Sequence, residues 1–365
     1  MADYLFDELK DFEKRVTESK MPQDLKERVE KMLDRLNRMA KLGGYSSEFE
    51  TTSRYVDVVT SIPWGKTTKD NLDLVNAKKT LDNHHYGLED VKGRVIEYLA
   101  VKTLRNKNTQ SIDNIKNKAL LSEEYHSPIL CLVGLQGIGK TTMAASIAKT
   151  LNREFIRISL GAASSILELR GQSKALPDAE PGQIIKALIR TKTMNPLILL
   201  DEIDKASGEK GLRLDIMAAL LEILDPEQNT TFRDHYLDFP INLSNVIFVC
   251  SANNTGTLSS ALMDRLEVIR MPAYTDEQKR VIAKDYLFDK VVTSVGLTPD
   301  QIEIKEDVWD ALIRPLGFDT GIRSLRRNIE MIARRVAKEV VEGKEGITTI
   351  EITDLQKYIP DFVNR

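Results

Sequence analysis

The chain has 365 residues, a formal net charge of -3 and an isoelectric point near 6.0, and 42% of its residues are hydrophobic. This length and apolar content suit two or three domains with buried cores, and the balanced charge gives no general attraction to nucleic acid or anionic membranes. The two cysteines, Cys131 and Cys250, lie in apolar strand-like runs, which argues against a disulfide framework or a zinc site and indicates the cell interior.

The amino-terminal section, residues 1–62, is highly charged and is predicted to be helical. It has no apolar run long enough for a signal peptide or a membrane span, so we expect a soluble cytoplasmic protein with no membrane partner. Apolar residues recur every three or four positions on both sides of Pro22, Gly43-Gly44 ends the second helix, and a third helix is predicted over residues 47–61. This arm or bundle is either an assembly or substrate-contact module or a packing arm for the next domain.

A linker, residues 65–71, leads to two predicted helices between Leu72 and Ala100, with His84-His85-Tyr86-Gly87 at the turn between them. The paired histidines are weak evidence for a metal site, because no carboxylate or cysteine stands at ligand spacing from them. Residues 105–126 are polar and have little periodicity, so they are predicted to form a surface loop.

The stretch from Cys131 to Thr142 has the spacing G-x-x-x-x-G-K-[ST] between a strand-like run and a helix-like run. Its glycines let consecutive main-chain N–H groups converge on phosphate oxygens, its lysine supplies positive charge, and its threonine hydroxyl can bind Mg²⁺ at the start of a helix whose dipole favours anions. A glycine-rich turn without a ligand is the alternative, but the flanking strand and helix favour a site for ATP or GTP. The residues expected to bind the nucleotide are Gly134, Gly137, Gly139, Lys140, Thr141 and Thr142.

Strands and helices alternate after this loop, which predicts an α/β fold with a parallel sheet and the nucleotide at the carboxyl ends of the strands. A buried strand is predicted to end at Asp201-Glu202. Asp201 would hold Mg²⁺ and Glu202 would polarise the attacking water, with ordinary solvation of an acidic strand end as the alternative. A strand over residues 246–250 leads to Asn253, whose amide could lie beside the terminal phosphate, and residues 267–270 form another strand.

The last section, from about Thr275, is predicted to be a small helical lid over the nucleotide. Apolar residues from Leu325 to Val340 mark a long amphipathic helix that begins at Gly321-Ile322-Arg323, and a short strand is predicted over residues 348–352. The predicted domains are therefore a helical arm (1–64), a large α/β nucleotide-binding part (65–272) and the lid (273–365).

Several short sequence blocks, given below, together resemble the ATPase module of Lon, the ATP-dependent AAA+ protease. The resemblance extends from about Leu25 to the end of the chain. The Asp-Pro-Glu-Gln-Asn block at residues 225–229 and the Asp-His-Tyr-Leu block at residues 234–237 separate Lon from other AAA+ proteins. The other blocks that carry the resemblance are Pro63-Trp64, residues 85–92, the phosphate loop, Asn195-Pro196 and residues 200–205.

The resemblance implies ATP and Mg²⁺ as cofactors and a role for each residue of the nucleotide site. Lys140 and Thr141 match the Walker A pair, Asp201 and Glu202 match the Walker B pair, and Asn253 matches the first sensor. On this basis Thr141 and Asp201 are the expected metal ligands.

The resemblance also implies roles for two arginines and one tyrosine. Arg265 matches the arginine finger that reaches a neighbouring subunit's nucleotide, and Arg323 matches the second sensor in the lid. Tyr86 belongs to the segment that lines the adenine pocket, where the adjacent histidines would be structural. From the residues alone, a surface salt bridge explains either arginine as well. A finger acting in trans implies a homo-oligomeric ring, commonly a hexamer in this family, that acts on protein substrates.

Two departures from the family pattern qualify this expectation. Lon proteases carry a serine-lysine peptidase domain after the lid, and this chain stops at Arg365, so we expect no peptide-bond cleavage from the chain alone. The segment that grips substrate in the family contains an aromatic-aliphatic pair, whereas residues 170–182 here contain Leu176 followed by Pro177. A second pore segment, residues 207–212, also lacks an aromatic residue. Leucine offers less contact area than an aromatic ring, which puts threading in question.

Three functions remain open on the sequence. The first is an ATP-driven motor that remodels proteins, working with a downstream or separate peptidase. The second is a stand-alone ATPase whose nucleotide state controls assembly or partner binding. The third is a DNA-associated switch, which the acidic balance and the absence of a basic stripe disfavour.

Overall fold

A computed structural model describes residues 2–41, 47–111, 129–161, 165–176, 178–206, 210–313 and 321–359. The chain divides into two compact units that alternate along the sequence. The first comprises Met1–Asn71, Lys107–Cys131 and Leu151–Glu267, and the second comprises Leu72–Asn106, Leu132–Thr150 and Val268–Arg365. The predictions for Gly43-Gly44, for residues 112–126, for Pro177 and for residues 207–209 lie outside the described residues. The predicted domain boundaries near residues 64 and 272 stay a prediction.

In the described part of the chain, five helices precede the first strand, and strands and helices are interspersed after it. The helices are α1 (Ala2–Glu18), α2 (Gln23–Lys41), α3 (Ser47–Ser61), α4 (Leu74–His84), α5 (Glu89–Ser111), α6 (Lys140–Thr150), α7 (Ile166–Arg170), α8 (Gln183–Thr191), α9 (Lys210–Leu224), α10 (Ser260–Met263), α11 (Asp276–Val281), α12 (Asp289–Ser294), α13 (Glu306–Ile313), α14 (Arg323–Val341) and α15 (Leu355–Tyr358). The strands are β1 (Ile129–Val133), β2 (Phe155–Ser159), β3 (Leu197–Asp201), β4 (Phe232–Asp234), β5 (Phe239–Ile241), β6 (Ile247–Ala252), β7 (Leu266–Arg270), β8 (Ile302–Ile304) and β9 (Thr348–Ile350).

The three amino-terminal helices confirm the helical prediction for this section. The apolar stripe of α2, which includes Leu25, Val29 and Leu36, is buried, as its three-to-four-residue spacing requires. Arg15 on α1 donates to the carboxylate of Asp57 on α3 at 2.9 Å, so a polar contact supplements the apolar packing of this bundle.

The surface-loop prediction for residues 105–126 is wrong at its start. Helix α5 continues to Ser111. The asparagine, lysine and glutamine residues of this stretch have only modest helix penalties, and no proline or glycine interrupts it between Arg105 and Ser111. Polarity there marked a helix rather than a loop.

Five strands form one sheet in the order β2-β3-β6-β1-β7, which confirms the α/β fold with a parallel central sheet flanked by helices. Phe155 on β2 pairs with Leu197 on β3, and Leu197 pairs with Ile247 on β6, both in parallel register. Every residue of β3 and β6 is buried, as expected for strands that helices cover on both faces. The parallel register places the carboxyl ends of β3 and β6 at the same edge.

The carboxyl-terminal part of the second unit has its own apolar core. Trp309 on α13, Leu325 and Val336 on α14, and Leu355 on α15 are all buried in one cluster. The predicted short strand is confirmed as β9, and it pairs in parallel with β8, a three-residue strand too short for its pattern to reveal. In the described residues, no helix combines the length and apolar character that a bilayer crossing needs.

Candidate functional site

The loop between β1 and α6 has the backbone geometry that its glycines predict. Gly137 and Gly139 have φ values of 82° and 96°, in the left-handed region where a Cβ is disfavoured. A Cβ at Gly134 would lie 2.7 Å from the carbonyl oxygen of Met271, so this position has no space for a side chain. Tyr274 donates its hydroxyl to the carbonyl of Ile138 at 3.1 Å and supports the loop from the lid side of the same unit.

Lys140 lies at the centre of this loop. Its side chain is buried, with 8% exposure, and Nζ donates to the carbonyls of Gly134 at 2.6 Å and Leu135 at 3.1 Å. Thr141 and Thr142 follow in the first turn of α6, an 11-residue helix whose N-terminus faces the loop. An ammonium group, left-handed glycines and a helix N-terminus are the features that bind a triphosphate, so the residues present fit a nucleotide.

The start of lid helix α14 packs directly on the phosphate loop. The main-chain N–H of Ile322 donates to the carbonyl of Gly137 at 3.0 Å. Gly321 approaches so closely that a Cβ there would lie 2.6 Å from the carbonyl oxygen of Gln136. The structure therefore brings Arg323, the first residue of α14, next to Gly137, while its side chain stays exposed.

A cavity of about 350 Å³ opens beside the phosphate loop within the second unit. Tyr86 and Tyr286 contribute aromatic walls, with ring centroids 6.2 Å apart. Ile282 and Ile322 add apolar surface, and Thr142 on α6 also lines the cavity. A mainly apolar slot with aromatic walls suits a flat heterocyclic base; the role of Tyr86 in binding it stays a prediction.

In the first unit, Asp201 ends β3, and side chains of the neighbouring strands hold its carboxylate. Asp201 is 4% exposed. Ser251 on β6 donates its hydroxyl to one carboxylate oxygen, and Arg157 on β2 donates Nε to the other at 2.5 Å. No local sequence pattern marks Arg157 and Ser251 as part of this site, because register between strands is needed to show which side chains share an edge. The carboxylate is the hard oxygen donor that Mg²⁺ prefers, so the residue type fits that ion.

Glu202 adopts a left-handed backbone conformation, with φ 59° and ψ 45°. Such a conformation in a non-glycine residue costs roughly 1–2 kcal/mol and is typical of functional sites. Its N–H donates to Ser251 Oγ at 3.1 Å, and its carboxylate accepts from Lys205 at 2.9 Å. A Cβ at Gly161 would collide with this carboxylate. Asn253, half-buried, follows directly after β6 at the same edge.

Arg265 forms a salt bridge, which is the alternative that the residues alone leave open. One guanidinium nitrogen lies 2.8 Å from the Asp225 carboxylate, and another donates to the carbonyl of Ala261 at 2.9 Å. Burial would raise the pKa of Asp225, but the hydrogen bonds from Arg265 and from the N–H of Glu227 hold that pKa below its usual value. Asp225 belongs to the Asp-Pro-Glu block, so this block fixes the arginine.

The segment of residues 170–182, here called the substrate segment, is anchored at its base. Gly171 and Gly182 pack against each other, and the N–H of Gly182 donates to the buried carboxylate of Asp234 at 2.8 Å. Its middle is held by side chains: the Lys174 ammonium lies 4.2 Å from the ring centroid of Tyr55 on α3. Leu176 at the tip is 54% exposed.

Two family profiles match the chain. The AAA profile, ATPase family associated with various cellular activities, matches residues 130–273, and the Lon protease AAA+ ATPase lid domain matches residues 293–349. The sequence is 38% identical to a Lon protease of Halothermothrix orenii over 97% of this chain and 43% of that protein. It is 39% identical to a mitochondrial Lon protease homolog of Homo sapiens over 95% of this chain and 34% of that protein. A Drosophila melanogaster homolog is 42% identical over 86% of this chain and 29% of that protein. The chain therefore spans less than half the length of these curated relatives.

Proposed function

The chain belongs to the AAA+ ATPases as a module of the Lon type, and we propose that it couples ATP hydrolysis to the unfolding and translocation of protein substrates for ATP-dependent proteolysis. The observation that carries this proposal is the phosphate loop, in which left-handed glycines surround Lys140 and the lid contributes Gly321 and Arg323 to the same place. A nucleotide bound there would sense any movement of the lid.

In the second unit, binding would use groups that are already in position. The N–H groups of the loop and of the first turn of α6 would bind phosphate oxygens, and Lys140 would exchange its loop carbonyls for the terminal phosphates. Arg323, exposed at the start of α14, would add positive charge from the lid. The base would occupy the cavity beside Tyr86 and Tyr286.

In the first unit, the residues at the ends of β3 and β6 would support hydrolysis. We assign Asp201 to Mg²⁺, which would supply charge neutralisation on the phosphates. Glu202 would orient the attacking water and accept its proton, and Lys205 and Ser251 hold Glu202 in place for that task. Asn253 would hydrogen-bond the terminal phosphate or the water.

Arg265 would complete the site of a neighbouring subunit in a homo-oligomeric ring, which we propose to be a hexamer. An arginine supplied in trans stabilises charge on the transferring phosphoryl group. The ion pair with Asp225 supports this role, because it holds the guanidinium on the surface in one orientation. Its side chain is 35% exposed, so a partner's phosphate could reach it.

A stand-alone ATPase that controls assembly or partner binding is the second candidate, and the substrate segment favours it. The segment has no aromatic residue, and the Lys174 ammonium holds it against the ring of Tyr55 on α3. A segment held in this way, with leucine at its tip, offers a weaker grip on an extended chain.

An unfolding assay with a tagged, stable protein substrate distinguishes the two candidates. We expect ATP-dependent loss of the substrate's native fluorescence, at a rate that follows ATP turnover. Glu202→Gln serves as the matched control, since it should bind ATP without turning it over. ATP hydrolysis with no unfolding would contradict the motor and support the switch.

A further inference from the structure

One buried hydroxyl, that of Ser146 on α6, lies between two adjacent imidazole rings. Ser146 Oγ is 3.1 Å from His84 Nδ1 and 2.9 Å from His85 Nε2. His84 is the last residue of α4 and His85 caps that helix, so the hydroxyl ties the end of α4 to the helix that follows the phosphate loop. Ser146 is 5% exposed, and all three residues line the cavity assigned above to the base.

The donors and acceptors of this cluster fix the direction of its hydrogen bonds. Lys149 Nζ lies 3.3 Å from His84 Nε2, and an ammonium group can only donate, so Nε2 accepts. A neutral His84 then carries its proton on Nδ1 and donates to Ser146. The serine hydroxyl hydrogen is thereby free to point to His85 Nε2. One chain of donors runs from Lys149 through His84 and Ser146 to His85.

Both imidazole rings are held in the neutral form, on which this series of hydrogen bonds depends. Burial first, and then the neighbouring His84 and Lys92, lower the pKa of His85 to about 4. Burial and the ammonium groups of Lys149 and Lys290 also lower the pKa of His84. At neutral pH the series of hydrogen bonds from Lys149 to His85 is therefore complete.

The turn that follows the histidines needs such support. Gly87 and Leu88 have φ values of 62° and 57°, and left-handed conformation is strained for leucine. Tyr86 lies between the capped helix and this turn; the residue is 37% exposed and lines the cavity. The orientation of Tyr86 thus depends on how firmly His85 is held.

We propose that Ser146 is a positioning residue for the base of the nucleotide: by bridging His84 and His85 it fixes the Tyr86 wall of the cavity. This inference rests on the proposed function, because it presumes that the loop binds a nucleotide. It separates the affinity into a phosphate part, which the loop supplies, and a base part, which depends on Ser146.

The test measures two ligands on wild-type and Ser146→Ala protein: Mg-ADP, and inorganic tripolyphosphate, which has phosphates but no base. We expect Ser146→Ala to weaken Mg-ADP roughly three- to tenfold, the value of one hydrogen bond, and to leave tripolyphosphate within about twofold. Ser146→Thr, which keeps a hydroxyl, should restore part of the lost affinity.

The matched control is Thr150→Val. It also removes a buried hydroxyl from α6, one that donates to the carbonyl of Ile147 at 2.7 Å, and Thr150 does not line the cavity. We expect it to change neither affinity. His84→Ala, at a partly exposed side chain, gives a second route to the same break in the chain if Ser146→Ala does not fold.

The outcomes separate this inference from the proposed function. Equal weakening of both ligands by Ser146→Ala would show a general structural role and overturn the inference, as would no change in either ligand. If wild-type protein bound neither ligand, the proposed function itself would fail. Loss of Mg-ADP affinity alone, in both Ser146→Ala and His84→Ala, would support the base-positioning role.

Discussion

The phosphate loop of the second unit and the substrate segment of the first unit are both glycine-flanked loops, yet they are built differently. In the phosphate loop the important groups are main-chain atoms, and Lys140 bonds to carbonyls of the loop itself. In the substrate segment the N–H of Gly182 bonds Asp234 at the base, and a turn bond from the N–H of Leu176 to the Ser173 carbonyl at 2.9 Å shapes the tip. The group that this tip presents is the exposed side chain of Leu176, and Lys174 beside it contacts Tyr55.

This difference explains why the sequence specifies nucleotide binding more clearly than it specifies substrate gripping. A loop that works through its backbone needs glycines at strained positions, and almost any sequence change there is costly. A loop that works through one exposed side chain can lose its aromatic residue without losing its fold. Nucleotide chemistry and substrate gripping can therefore diverge within a single chain.

The largest expected effect is on the phosphate loop. Lys140→Ala should weaken nucleotide binding roughly 10²-fold or more, because it removes a buried charge-assisted donor to the phosphates. Isothermal titration with Mg-ADP measures this. Lys338→Ala, at an exposed lysine of α14, is the control. Wild-type affinity in Lys140→Ala would contradict the assignment of this loop.

Glu202→Gln should separate binding from hydrolysis. We expect ATP turnover to fall by roughly 10²-fold while nucleotide affinity is kept, because the amide cannot accept a proton from water. Steady-state phosphate release and nucleotide titration on the same preparation check both. A parallel loss of affinity and turnover would show that Glu202 supports the fold of the β3 edge rather than the chemistry.

The role of Arg265 can be tested by mixing inactive subunits. Arg265→Ala and Glu202→Gln should each be slow alone, and the mixture should turn over ATP about tenfold faster than either, because some interfaces then pair an intact Arg265 with an intact Glu202. Size-exclusion chromatography must show that mixed assemblies form. Mixed rings with no gain in turnover would argue against a shared site.

A smaller effect is expected at the tip of the substrate segment. Leu176→Tyr should raise the rate of substrate unfolding about threefold, because an aromatic ring adds contact area at little entropic cost. ATP turnover without substrate should not change, since Leu176 is 54% exposed. Leu176→Ser is the matched control and should lower unfolding. Equal unfolding rates in all three proteins would mean that this segment does not grip.

The smallest effect expected at neutral pH is that of replacing His85, and it concerns the free energy of unfolding. Its pKa is lowered to about 4, first by burial and then by His84, Lys92 and Lys290, against 6.5 for an ordinary histidine. The unfolded chain binds more protons than the folded chain between these values, so the free energy of unfolding should decrease as pH falls from about 6.5 to about 4. His85→Gln should flatten this decrease in chemical denaturation. An unchanged pH profile would show that His85 is not held neutral.

Asp234, in the first unit, should have the opposite effect on how the free energy of unfolding varies with pH. Burial raises the pKa of this carboxyl despite N–H donors from Gly182, Leu237 and Tyr236. The folded chain therefore retains a proton at Asp234 to higher pH than the unfolded chain. Its contribution to the free energy of unfolding increases as pH falls, which offsets part of the His85 effect.

The sequence by itself determined the elements whose signals are local. The α/β alternation, the three amino-terminal helices and the long lid helix α14 followed from periodicity, and the phosphate loop followed from residue spacing. Polarity alone predicts a loop over residues 105–126, whereas helix α5 continues to Ser111, since no proline or glycine interrupts it. Polar composition does not distinguish an exposed helix from a loop when nothing covers either face.

Only the tertiary structure decided which side chains contact each other. Arg157 and Ser251 meet Asp201 because parallel register aligns three strands, and Asp225 meets Arg265 across 40 residues. Ser146 joins two histidines 61 and 62 positions away. Local patterns report backbone conformation, because that depends on neighbours in sequence. Hydrogen-bond partners depend on packing, which joins residues far apart in the chain, and no spacing rule encodes it.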